Sequence, residues 1–163
     1  MPLTFKTATP SHIPLIAQLA EKIWRSHYVE IIGLEQVEYM LKTMYSEEQL
    51  LKQMNSGHVF TLIYLNNEPT AYISVSTKDN THYFIHKFYV LVNKHRSGIG
   101  TDVLNYLLQE LPQARTFELT VNRQNYKAIN FYFKNGFVIK EIADFDIGEG
   151  YFMNDFVMVK TIF

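Results

Sequence analysis

The sequence predicts a mixed α/β protein: a mostly antiparallel sheet flanked by helices, with one parallel crossover. Three observations predict it. Runs of alternating, β-branched or aromatic residues fall at 3–8, 58–65, 69–77, 82–92, 116–121, 137–143 and 151–160, and stretches of helical period separate several of them. A glycine-bearing loop, Arg96-Ser97-Gly98-Ile99-Gly100-Thr101, joins the long strand at 82–92 to an amphipathic helix and then to another strand, the order of a parallel crossover. Elsewhere short turn signals, Asn66-Asn67-Glu68 above all, read as hairpins. At 163 residues, with no linker, repeat or low-complexity segment, the chain reads as one domain spanning residues 1–163, long enough to bury a full core.

The elements follow in order. Residues 3–8 alternate as a first strand. Thr9 or Ser11 can cap a helix starting near Pro10, whose buried stripe is Ile13, Ile16, Ala17, Leu19, Ala20 and Ile23. That helix carries Trp24, His27 and Tyr28 at its end and breaks at Ile31-Ile32-Gly33. Helical pieces at 34–44 and 46–54 follow, the second opened by a capping box of Ser46 and Gln49. The aromatic and methionine residues of 24–45 suit either a lid over an acceptor pocket or packing against the sheet. Three antiparallel strands lead through Asn66-Asn67-Glu68 and Lys78-Asp79-Asn80 to the glycine loop. Val103, Leu104, Leu107 and Leu108 form the apolar face of the helix beyond it. A strand at 116–121 turns Phe117 and Leu119 one way and Glu118 and Thr120 the other. A helix at 125–135 ends on Gly136, and a hairpin around 146–150 closes the chain.

Composition excludes several functions. A net charge of −1 gives no electrostatic basis for binding nucleic acid or an anionic membrane. Without Cys there is no disulfide, zinc–thiolate site or thiol nucleophile, and no metal is expected. The first 14 residues hold no apolar signal core and no run approaches a membrane span, so the expected location is the cytoplasm.

The strand–glycine loop–helix order points to an anion. Glycines let the backbone come close to a ligand, and the free N–H groups of a helix start present the positive end of its dipole. Arg96 adds a fixed charge beside that nest, and a phosphate or pyrophosphate is the natural occupant. The loop is not a P-loop, since no Lys follows Gly100. It is not a dinucleotide fingerprint either, because Val103 stands where the third glycine would fall.

With these residues in view, the chain resembles the GNAT superfamily, which transfers acyl groups from coenzyme A to amines. Arg96-Ser97-Gly98-Ile99-Gly100-Thr101 looks like that family's acyl-CoA pyrophosphate loop, and the position usually Gln or Arg falls on His95, one place before Arg96. A second signature is similar from Val121 through Asn125, Ala128, Phe131 and Tyr132 to Gly136-Phe137. The resemblance implies an acyl-CoA N-acyltransferase fold whose sheet is splayed between strands 4 and 5. It also implies acetyl-CoA as co-substrate. Pantetheine would add like a strand to the backbone of Phe88, Tyr89 and Val90, and the amides of Arg96, Ser97, Gly98, Ile99, Gly100 and Thr101 would take the pyrophosphate. Asn125 would bond the pantetheine arm and Lys134 a CoA phosphate, while Tyr132 would protonate the leaving thiolate.

The base is left open by the sequence. His86, four residues before Val90 and therefore expected on the face of Phe88 and Val90, is the first candidate, with His82 and Glu118 in reserve. For the acceptor, the segments 24–28, 46–50 and 151–155 look like bacterial polyamine (spermidine/spermine) N-acetyltransferases. Trp24, Tyr28 and Asp155 are the candidate acceptor residues, and Glu30, Glu35, Glu47 and Glu48 are further carboxylates for a cation. The expected activity is direct acetyl transfer to a small primary amine in a ternary complex. The alternatives are a non-catalytic acyl-CoA sensor and a protein or peptide N-acetyltransferase. The resemblance leaves a homodimer possible.

Overall fold

The computed structural model describes residues 2–91 and 98–162. One seven-stranded mixed sheet organises it, in the order β1-β2-β3-β4-β5-β7-β6. Strands β1 (Leu3–Thr7), β2 (Val59–Leu65), β3 (Glu68–Thr77) and β4 (His82–Val90) run antiparallel in sequence. Asn66 and Asn67, with φ of 53° and 66°, form the two-residue turn between β2 and β3, the left-handed pair that matches strand twist. Beyond the parallel crossover, β5 (Thr116–Asn122) lies between β4 and β7 (Tyr151–Thr161), and β6 (Val138–Gly148) forms the far edge. The closing hairpin is longer than the sequence predicts, because cross-strand pairing continues from Val138 to the tip at Gly148 and Tyr151.

Helices cover both faces. On one side pack α5 (Ile99–Glu110) and α6 (Tyr126–Lys134), burying Val103, Leu104, Leu107, Ile129 and Tyr132 on Ile73, Ile85 and Phe117. On the other pack α1 (Ile13–Ile23), α3 (Leu34–Met44) and α4 (Glu47–Asn55), joined through the short α2 (Val29–Ile32), over Phe60, Leu62 and Tyr72. Each fully buried Leu or Ile of these layers contributes about 1.5–3 kcal/mol. The predicted stripe of α1 is buried apart from Ala17, which is half-buried. Thr9 and His12 close the turn before it, with Thr9 N–H donating to His12 Nδ1 at 2.9 Å. Ser46 accepts the Gln49 N–H at 3.3 Å, which starts α4 where its sequence predicts.

Two local irregularities shape the cleft between β4 and β5. At Trp24–Tyr28 the helix widens into a π turn, and the Ser26 hydroxyl donates to the Lys22 carbonyl at 2.6 Å, competing for the acceptor of the regular ladder. In β4, Ser74 faces Lys87 but Val75 faces Ile85, so His86 is an extra residue in a bulge.

Candidate active site

The site is made by strands that stop pairing. β4 and β5 are parallel neighbours only at His82↔Thr116, Tyr83↔Phe117 and Phe84↔Glu118. Beyond that point they diverge, as the resemblance implies, and the β5-facing edge of β4 pairs with no further strand among the described residues. Two cavities occupy the gap. Both are walled by Tyr28, Phe88, Tyr89, Asn125, Ala128 and Tyr132, so they meet at one junction.

The first cavity is bounded by Phe88, Tyr89 and Val90 of β4 and by Gly98, Gly100 and Thr101 at the start of α5. Gly98 caps α5 with a left-handed backbone, φ 75°, that an L side chain adopts only at a cost. The N–H groups of the first turn have no partner within the helix, which makes this end an anion seat. Gly100 is small for a reason the sequence does not show. A Cβ there would lie 3.0 Å from the Phe131 ring, so this glycine lets α6 approach α5. Ile99 is buried beneath, in the core. Arg96 and Ser97, the other expected pyrophosphate contacts, lie outside the described residues.

Asn125 holds the junction together. Its side chain caps α6 by accepting the Ala128 N–H at 3.4 Å, meets His27 Nε2 at 3.3 Å, and donates to the Tyr28 hydroxyl at 3.3 Å. It thereby ties α6 to the π turn, a link between residues 98 positions apart that local patterns do not reveal. Tyr132 is 7% exposed and its hydroxyl makes no hydrogen bond to a described residue. Burial raises its pKa above the ordinary tyrosine value, which keeps the proton in place at neutral pH. Lys134 sits exposed in the last turn of α6 and lines neither cavity; the lysine of that helix that does is Lys127. The helical period accounts for this, since Lys127 lies one turn before Phe131 on the cleft side.

The second cavity runs between Ile85–Tyr89 of β4 and Leu119–Asn122 of β5 and is capped by α3 and the closing hairpin. Trp24, Tyr28 and Asp155, the expected acceptor residues, all line it. Trp24 stacks on Tyr28 with centroids 4.0 Å apart, and Tyr28 presents an edge to Tyr89 at 6.1 Å. Asp155 is 3% exposed on β7, opposite Asn122 of β5. Burial pushes its carboxyl up to about 6, against the opposing pull of the Thr120 hydroxyl and Arg123. Of the five carboxylates named from sequence, Asp155 alone lines the cavity; Glu30, Glu35, Glu47 and Glu48 are exposed. α3 is fastened to the hairpin by Gln36 Nε2 donating to the Phe152 carbonyl at 2.8 Å and by the Tyr39 hydroxyl donating to that of Ile147.

The expected bases fare differently. The bulge carries His86 away from the face of Phe88 and Val90, contrary to simple alternation. Its ring stacks on His58 at 3.8 Å, and its Nε2 lies 2.7 Å from the Ser76 hydroxyl. Burial, with His58 and Lys87 nearby, pushes it down to about 4, although it still contributes to the second cavity. His82 is exposed and paired with Asp79 at 2.7 Å, and Glu118 is paired with Lys140 at 3.0 Å; neither lines a cavity. Sequence reasoning missed Lys87, which burial pushes down to about 8, and the Asn125–His27 link. The signal for the lysine is its place in an otherwise apolar and aromatic run.

A family model described as the acetyltransferase (GNAT) family matches residues 16–137. No curated protein matches the chain. Among solved structures, it is similar to the PaiA N-acetyltransferase from Thermoplasma acidophilum in complex with coenzyme A, at 22% identity and TM-score 0.81, covering 99% of this chain and 100% of that one. A GCN5-related N-acetyltransferase from Rhodopseudomonas palustris is similar at 18% identity and TM-score 0.81, covering 99% and 97%. Arabidopsis thaliana Naa50 in complex with a bisubstrate analogue is similar at 18% identity and TM-score 0.70, covering 99% and 100%. At these identities the structures speak for the fold.

Proposed function

The chain belongs to the GNAT acetyltransferase family, and from that premise we propose that it acetylates the primary amine of a small molecule by direct attack within a ternary complex. It is an acetyl-CoA-dependent acetyltransferase of GNAT type, and the proposal concerns its acceptor and the residues that serve it. One observation carries the reading: the two cavities meet at Tyr132, one ending on an anion seat and the other on a buried carboxylate.

The cofactor cavity fits acetyl-CoA on three counts: a stretch of β4 lined by Phe88, Tyr89 and Val90 that no longer pairs with β5, a helix start with free amides at Ile99, Gly100 and Thr101, and room between them. When bound, acetyl-CoA supplies the acetyl group already activated as a thioester. Gly98 through Thr101 would hold its pyrophosphate, with Arg96 and Ser97 proposed to complete that seat. Lys127, in the place expected of Lys134, would lie nearer a CoA phosphate than Lys134 does.

The chain's own chemistry is proton management. Asp155 attracts the acceptor ammonium into the second cavity and is the proposed proton acceptor, since a carboxyl near 6 ionises below neutral pH yet remains basic enough to share a proton. His86 remains the other candidate base. It is neutral at pH 7, but its ring is already committed to Ser76 and His58. Tyr132 retains its proton at neutral pH and would give it to the departing thiolate. Trp24, Tyr28 and Tyr89 give the ammonium aromatic faces. The bonds from Gln36 and Tyr39 fasten the closing hairpin to α3, which narrows the second cavity on that side. A polyamine is the elongated cationic member of the small-amine class.

The test is a panel. The protein is mixed with acetyl-CoA and primary amines, polyamines and amino-terminal peptides, and free thiol is followed. Release with small amines and none with peptides supports the proposal, whereas peptides alone, or binding of acetyl-CoA with no thiol from any acceptor, overturns it.

A further inference from the structure

The acceptor cavity contains a second charged group of the opposite sign. Lys87, also in its wall, is 8% exposed. Its ammonium lies 4.5 Å from the centroid of the Tyr45 ring, and among the described residues it has no carboxylate, carbonyl or hydroxyl bonded to it. Directly across the ladder stands Ser74, wholly buried, whose hydroxyl has no partner either. Paired residues of an antiparallel ladder project to the same side, so these two unsatisfied donors are neighbours. A buried ammonium beside a ring and the His58–His86 stack, next to an idle hydroxyl, has no anion bonded to it among the described residues.

Asp155 is not that anion. It lines the same cavity from β7, across the gap between β4 and β5, and is not bonded to Lys87. The cavity therefore has a carboxylate on one wall, an ammonium on another, and aromatic rings of Trp24, Tyr28 and Tyr89 between. A pure polycation would bring like charge against Lys87 in a water-poor site, whereas a molecule with both charges satisfies both walls.

Building on the small-amine reading, we propose that the acceptor is a zwitterion: a small primary amine carrying its own carboxylate, its ammonium on Asp155 and its carboxylate on Lys87. Burial pushes Lys87 down to about 8, which leaves it mostly charged at neutral pH and able to take a carboxylate. The ring at Tyr45 then serves as a floor that keeps the ammonium in place while the site is empty.

The experiment compares matched acceptors with the intact enzyme and acetyl-CoA: glycine, β-alanine and γ-aminobutyrate, each beside its amide, with spermidine as the cationic arm. One charge-assisted contact predicts kcat/KM for the best acid about 10- to 100-fold above that for its amide. In Lys87→Met this ratio falls toward one, mainly through KM, while calorimetric affinity for acetyl-CoA shows that the variant is folded. Equal use of acids and amides by the wild-type enzyme, or a preference for spermidine, overturns this proposal while leaving the small-amine reading intact. Turnover with no amine at all removes the reading on which it rests. The wild-type comparison decides the matter even where Lys87→Met does not fold.

Discussion

Replacing Lys87 with Met stabilises the protein at neutral pH, although the variant loses the proposed acceptor preference. The lysine is pushed from 10.5 to about 8 by burial alone. That fall corresponds to up to about 3 kcal/mol of stability withheld from the folded state, since each pKa unit is worth about 1.4 kcal/mol. The sign follows from proton binding. The unfolded chain keeps this proton up to 10.5 and the folded chain only to about 8, so the cost is full below pH 8, shrinks through that window, and is absent above 10.5. Met fills a similar volume without the charge, and its gain over the wild type therefore follows the same curve. For 163 residues, about 3 kcal/mol moves Tm by roughly 6–12 °C. Thermal unfolding of both proteins from pH 6 to about pH 11, plotted as the difference, is the assay. An equal Tm at pH 7, or a gain that persists unchanged at the alkaline end, refutes the claim that Lys87 is an uncompensated buried cation. A residue that costs this much where it stands is one that binding has reason to retain.

Tyr132→Phe should bind acetyl-CoA with near wild-type affinity in calorimetry and turn over about 100-fold more slowly or worse, as loss of a general acid requires; equal turnover removes the hydroxyl from the mechanism. The pH profile of kcat/KM should rise through an apparent pKa near 6 in the wild-type enzyme, because the proposed acceptor docking needs the ionised Asp155. Asp155→Asn should lose that limb and raise acceptor KM by about 10- to 100-fold. Gly98→Ala forces a side chain into φ 75° and should lower the urea midpoint by an amount equivalent to about 1 kcal/mol. Gly100→Ala pushes on Phe131 and should cost about 1–3 kcal/mol, relieved by Phe131→Leu in the same chain. His86, held near 4 against an ordinary 6.5, contributes stability that is present above 6.5 and lost as pH falls toward 4. His86→Asn should therefore gain on the wild-type Tm steadily across that interval.

The sequence by itself determined the elements, their order and the loop and helix that border the gap between β4 and β5. Period and turn chemistry are local: Asn66-Asn67 marks its hairpin, Ser46 marks the start of α4, and Gly98 marks the turn into α5, each through geometry set within a few residues. The resemblance singled out Asn125 and Tyr132, and the structure sets them at the cap and in the body of α6, lining one cavity with Phe88, Tyr89 and Val90. Family resemblance also grouped Trp24, Tyr28 and Asp155, and the fold brings the three into one cavity.

Only the tertiary structure decided which charges face that cavity. Simple alternation assigned His86 to the face of Phe88, but one extra residue in β4 reverses the assignment, and a bulge depends on what the partner strand presents rather than on the strand's own pattern. Alternation likewise says nothing about Lys87, whose significance lies in being buried without an anion, or about Gly100, whose size is fixed by a ring 31 residues away. Burial and long-range contact are properties of surfaces brought together by the whole fold. Their consequences for pKa and charge pairing, and so for the choice of acceptor, exist only once β4 and β5 have parted and helices from both halves of the chain have closed around the gap.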